Sequence, residues 1–132
     1  MPNPPTLEYS KDLLNWLPFV VGETVVAMNI GEKMYLRGDN PYFSPPETNA
    51  GNVMFMMTGK IAASGDLISL LDKSCQKTDI STQYCFSGAF LNCTALTSLP
   101  KLTATSLSYG CYYWMFYGCS NIKVSTVQTG EY

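Results

Sequence analysis

Tyr84-Cys85-Phe86-Ser87-Gly88-Ala89-Phe90-Leu91-Asn92-Cys93-Thr94-Ala95-Leu96 is followed, 26 residues on, by Gly110-Cys111-Tyr112-Tyr113-Trp114-Met115-Phe116-Tyr117-Gly118-Cys119-Ser120-Asn121-Ile122. Cys85 matches Cys111, Phe86 matches Tyr112, Phe90 matches Phe116, Cys93 matches Cys119 and Leu96 matches Ile122. Self-similarity at a period of this size signals stacked repeats that bury their faces against one another. The first expectation is therefore that Phe90 and Phe116 are stacked equivalents in successive coils, with the cysteines turned inward.

Each copy also fits a helix. At 100° per residue, Cys85, Phe86, Ala89, Phe90 and Cys93 fall within about 140° of one another, the width of a buried stripe. The second copy places Cys111, Tyr112, Met115, Phe116 and Cys119 in the same way. After each copy come a small polar step and an extended segment, which in the first is Leu96-Thr97-Ser98-Leu99-Pro100-Lys101-Leu102. One strand and one helix per period is the unit this pattern predicts.

The string of residues 84–102, with Leu107 and residues 111–119, resembles the BspA-like leucine-rich repeats of bacterial surface proteins and of phages that infect gut bacteria. Those repeats combine a cysteine-aromatic start, an aromatic mid-helix, a Gly/Asn-Cys-Thr/Ser exit and a Leu-Pro-x-Leu continuation. The likeness covers about residues 52–132, and its second copy departs from the pattern with Lys123-Val124-Ser125-Thr126-Val127. It implies an α+β fold: a small N-terminal antiparallel β module capped by a short leucine-rich-repeat solenoid of about two strand-helix repeats. The expected division is a β-sandwich-like module over residues 1–63 and a repeat segment over 64–132. The latter comprises a degenerate cap helix at 64–74 and repeats at about 80–106 and 107–132.

Working outward, residues 1–5 form a proline-rich leader, and residues 7–10 read as a short strand. Pro18 restricts the apolar run of residues 15–21 to a sheet edge. Residues 24–30, 33–37, 52–58 and 60–63 supply further strand candidates, and residues 38–51 a loop rich in proline and glycine. Ser64 is the expected N-cap of the cap helix, with Leu67, Leu70 and Leu71 on its buried side.

Composition excludes several functions. The chain has 132 residues, 46% apolar and 14% charged, and a net charge of −2, which argues against nucleic acid as a partner. From Ile80 onward only Lys101, Lys123 and Glu131 are charged, so that half offers a neutral surface of hydroxyls and rings. No run reaches the roughly 18 apolar residues of a membrane span. The opening Met1-Pro2-Asn3-Pro4-Pro5 lacks the parts of a secretory signal. Cytoplasmic synthesis is expected, with a virion-associated destination open. The five cysteines read mainly as small buried hydrophobes; bridges between stacked repeats remain conceivable, and Cys85/Cys93 or Cys111/Cys119 lie roughly 12 Å apart on a helix, too far to bridge.

Without histidine, a serine or cysteine nucleophile lacks its usual base, and no zinc spacing or phosphate loop exists. No enzyme, cofactor or metal is expected, and Asp66 and Asp72 read as helix solvation. The candidate site is Tyr113, Trp114 and Tyr117, three aromatics on the outward side of the second helix, where the first copy has Ser87, Gly88 and Leu91. They are a binding patch, a cover over the open end of the solenoid, or a surface that packs on a symmetry mate. Residues 124–127 form a β-favouring edge open to homo-oligomerisation. The function this suggests is a non-enzymatic recognition or structural module, phage-encoded or surface-associated, binding a protein or glycan partner. A small intracellular inhibitor or accessory protein of phage origin, acting on a host protein, is the alternative.

Overall fold

In the computed structural model, which describes residues 4–44 and 53–122, the two copies lie side by side and in parallel. The amides of Tyr84, Phe86, Gly88, Phe90 and Asn92 donate to the carbonyls of Tyr109, Cys111, Tyr113, Met115 and Tyr117 at 2.7–3.1 Å. Between them, the amides of Ser87, Ala89, Leu91 and Cys93 donate three residues back along their own coil, to Tyr84, Phe86, Gly88 and Phe90. Alternate N–H groups thus close turns and reach the next coil, so every second residue is a rung contact. The second copy repeats the turn bonds from Cys111, Tyr113, Met115, Tyr117 and Cys119.

This arrangement corrects the helix expectation. The helical stripes at 85–93 and 111–119 are ribbons of consecutive turns, and the only helical segment among the described residues is a 3₁₀ helix at Leu67–Leu70. The cause is backbone conformation every fourth residue. Tyr84, Gly88 and Asn92 have φ of 56°, 65° and 56°, and their counterparts Gly110, Trp114 and Gly118 have 65°, 54° and 78°. A left-handed residue breaks the right-handed helix at each of these points. Burial agrees: residues 85–90 are all buried, which no one-sided helical stripe allows, because a neighbouring coil covers each edge of the ribbon. The strand-helix solenoid is therefore overturned, and so is its cap helix at 64–74. The N-cap of the 3₁₀ turn is Asp66, not Ser64; its carboxylate accepts from Ile68 N at 3.0 Å and from Thr103 Oγ1 at 2.6 Å. Asp72 accepts from the amides of Ser74, Gln76 and Lys77 and ties a loop rather than solvating a helix.

Among the described residues, seven short strands make three separate sheets. β1 (Leu7–Ser10), β2 (Leu17–Phe19) and β3 (Tyr35–Arg37) form an antiparallel sheet in the order β2-β1-β3, with Leu7 opposite Phe19 and Glu8 opposite Arg37. Pro18 lies on an edge strand, where its missing N–H does not interrupt a ladder. β4 (Ile61–Ala62) pairs in parallel with β6 (Leu96–Ser98), and β5 (Asp79–Ile80) with β7 (Ser106–Leu107). Among the described residues no sandwich forms. The strand expected at residues 24–30 is irregular, with Val25 and Ile30 fully in solvent and no partner strand among the described residues. The stretch 53–58 is also irregular; it runs against the repeat, with Phe55 N donating to Ala89 O at 2.7 Å. The expected strand at 124–127, the ends of the chain and most of the proline-rich loop lie outside the described residues.

Two ladders of rings run through the stack and hold it together. Phe43, Phe86 and Tyr112 follow one another at centroid distances of 5.4 and 6.3 Å. Phe55, Phe90 and Phe116 follow at 4.8 and 5.5 Å, nearly parallel at 17° and 15°. Each buried ring contributes about 2–3 kcal/mol by leaving water, and parallel offset contact adds to that. The thiols bond the same coils: Cys93 Sγ donates to Phe55 O at 3.0 Å, and its counterpart Cys119 Sγ donates to Phe90 O at 2.9 Å. All five cysteines are free thiols. Asn40 joins the N-terminal sheet to the stack, donating to Thr6 O and Leu70 O while accepting from Thr6 N.

Candidate functional site

Left-handed positions decide where large side chains can stand, because a side chain there lies over its counterpart in the next coil. A Cβ on Gly110 would come within 2.6 Å of the Tyr84 ring, and one on Gly118 would collide with Asn92. Each matched pair accordingly holds one glycine: Tyr84/Gly110, Gly88/Trp114 and Asn92/Gly118. Trp114 takes the strained conformation at φ 54° on the last described coil. A non-glycine residue in this region costs roughly 1 kcal/mol.

Around it the structure gathers a row of rings. Tyr109 meets Tyr84 edge-on at 5.7 Å, and Tyr84 meets Tyr113 edge-on at 6.2 Å. Tyr113 stacks on Trp114 at 5.0 Å and 13°, and Trp114 stacks on Tyr117 at 5.5 Å and 28°. The sequence-selected Tyr113, Trp114 and Tyr117 are thus adjacent, and are 42%, 53% and 64% exposed. Their closeness comes from the turn ribbon and not from a helix face. Sequence reasoning missed Tyr84 and Tyr109. The signal for Tyr84 was available in its pairing with Gly110, which leaves a ring-sized gap.

Chemically the row is uncharged. Burial first, then neighbouring Tyr109, pushes the Tyr84 phenol above its usual range, and burial pushes Tyr112, stacked on Phe86, to about 12. These phenols are neutral at physiological pH and act as hydrogen-bond groups. The thiols also stay protonated: desolvation pushes Cys85 to about 11, and raises Cys93, Cys111 and Cys119. None is poised as a nucleophile. Among the described residues, no cluster of carboxylates and thiols is arranged to hold a metal ion, and no helix is long and apolar enough to cross a membrane.

An open groove of about 340 Å³ lies elsewhere, between Tyr9–Asp12, Asn15, Leu17 and residues 25–27. Its charged groups are committed: Lys11 Nζ bonds Ala27 O and Glu32, and Asp12 accepts from the amides of Leu14 and Asn15. Comparisons with protein-family models, with curated proteins and with solved structures found no match.

Proposed function

We propose that the chain is a non-catalytic recognition module that grips a protein partner through the aromatic row of Tyr109, Tyr84, Tyr113, Trp114 and Tyr117. The observation that carries this reading is the packing of exposed rings on one another, which fixes a large apolar surface before any partner arrives. Little side-chain entropy is then lost on binding, and tyrosine and tryptophan are the residues that dominate interface energetics. The mode of stacking favours protein over glycan. Trp114 is already stacked on both Tyr113 and Tyr117, which compete with a pyranose for its faces. The polar groups of the row are phenol hydroxyls and an indole N–H.

The test compares the wild type with the Trp114→Ala/Tyr117→Ala double variant on a glycan array and against a displayed-peptide library. The expected result is peptide ligands that bind the variant roughly 30-fold more weakly, as loss of a central aromatic anchor implies, and no glycan signal. Equal binding by both proteins removes the row from the site.

A further inference from the structure

The last described coil has a backbone edge that no other described residue pairs with. Its amides at Cys111, Tyr113, Met115, Tyr117 and Cys119 close turns, but no carbonyl among the described residues accepts from Gly110, Tyr112, Trp114, Phe116 or Gly118. Their counterparts one coil back, Tyr84, Phe86, Gly88, Phe90 and Asn92, all donate across to the next coil. Five donors at alternate residues along 110–118 therefore have no backbone acceptor among the described residues. Beside them Tyr112 and Phe116, both half-buried, are the last rings of the two ladders among the described residues.

We propose that this edge takes up a segment of another polypeptide as one more rung, and that the segment carries an aromatic-x-Gly-x-aromatic motif. Complementarity sets each requirement. Five carbonyls at alternate residues must meet the five donors, and in this fold the carbonyls of a coil point back toward the preceding one, as Cys85 O and Ala89 O do toward Ser44 N and Phe55 N. Two aromatic rings four residues apart must continue the ladders over Tyr112 and Phe116. Glycine must sit opposite Trp114, because the matched left-handed pairs hold one side chain each. The chain's own Phe86-Ser87-Gly88-Ala89-Phe90 meets all three conditions and so defines the probe. Pairing of an incoming strand with unused backbone donors is a general mode of peptide recognition. The proposal concerns the backbone edge and stands independently of the exposed ring row.

The probe is a synthetic peptide copying residues 82–96, titrated into the intact protein and followed by residue-resolved amide exchange. In the free protein the amides of Gly110, Tyr112, Trp114, Phe116 and Gly118 should exchange fast, and the intervening ones slowly. Peptide should slow those five at least ten-fold, with a dissociation constant below about 1 mM, a weak but specific contact. A peptide with both phenylalanines changed to alanine should bind at least ten-fold more weakly, since two ring stacks are lost. The Tyr113→Ala/Tyr117→Ala protein loses two rings of the row, alters none of the five donor residues and should bind the peptide within about three-fold of wild type, which separates this edge from the ring row. Alternating protection that appears only with the peptide upholds the proposal. No protection at millimolar peptide overturns it. Slow exchange in the free protein also overturns it, whether concentration-dependent, as for a second copy, or abolished by removing residues 123–132.

Discussion

Replacing Phe90 with leucine removes two ring contacts at once while leaving most of the buried volume in place. Phe90 is 3% exposed and lies between Phe55 at 4.8 Å and Phe116 at 5.5 Å. Each parallel aromatic pair contributes about 0.5–1.5 kcal/mol beyond its burial. The substitution should therefore cost about 1–3 kcal/mol, a large share of the 5–15 kcal/mol that stabilises a typical domain. Phe116→Leu breaks only one such pair at a half-buried site and should cost about half as much. Urea unfolding monitored by near-UV circular dichroism measures both.

The decisive quantity is the coupling between sites. Phe90 and Phe116 are 26 residues apart in sequence and touch ring to ring, so a double-mutant cycle should return about 0.5–1.5 kcal/mol. Phe86 and Phe90 are four apart, as helix neighbours would be, yet their rings form no pair and belong to different ladders. Their coupling should fall below about 0.5 kcal/mol, within the additivity expected of sites without direct contact. A larger coupling for Phe86/Phe90 than for Phe90/Phe116 would refute the stacked ribbon and restore the helix.

At Trp114, whose φ is 54°, glycine should be more stabilising than alanine by about 1 kcal/mol, the reverse of their order in a helix; compare the melting of Trp114→Gly and Trp114→Ala. Asp72 is held down from 3.8 to about 2, first by the Ser74 hydroxyl and then by the amides of Ser74, Gln76 and Lys77. A depressed carboxylate stabilises the fold above its unfolded pKa, and that contribution is lost as pH falls through the folded one. The stability gap between wild type and Asp72→Asn should thus be full above pH ~4 and close toward pH ~2; a constant gap in urea melts across that range refutes it. Among the thiols only Cys75 is exposed, so native-state alkylation should modify one site, and Cys75→Ser should leave the remainder slow to label until unfolding.

The period of the stack could be read from the sequence because matched residues meet across coils, and Cys93 and Cys119 even make matching bonds. β1 was also visible, and Pro18 marked the edge strand. The helix was misread because its evidence does not discriminate. Aromatics at i and i+4 suit a 3.6-residue stripe and a four-residue turn ribbon equally, and over nine residues the two drift apart by only about a quarter turn. Strand-like composition at residues 24–30 was equally insufficient, since β preference reflects packing against a partner and no described strand pairs with it. Asp66 displaced Ser64 as N-cap because it also reaches Thr103, a contact made across the stack and invisible to local pattern.

What does discriminate ribbon from helix is the exchange of glycine between copies. A helix has no use for glycine at every fourth position, where it costs about 1 kcal/mol relative to alanine. In the ribbon those positions are left-handed, and the side chain of one coil occupies the space over its counterpart in the next. Glycine is then needed once in each matched pair and not twice, which is how Tyr84/Gly110, Gly88/Trp114 and Asn92/Gly118 are distributed. The same rule links architecture to the exposed row. Gly110 makes room for the Tyr84 ring, and Gly88 stands in the coil beneath Trp114. The rings of Tyr113 and Tyr117 then both stack on Trp114. The surface proposed to recognise a partner is thereby a consequence of where the backbone turns left-handed, and it should move with those glycines if they are exchanged between coils.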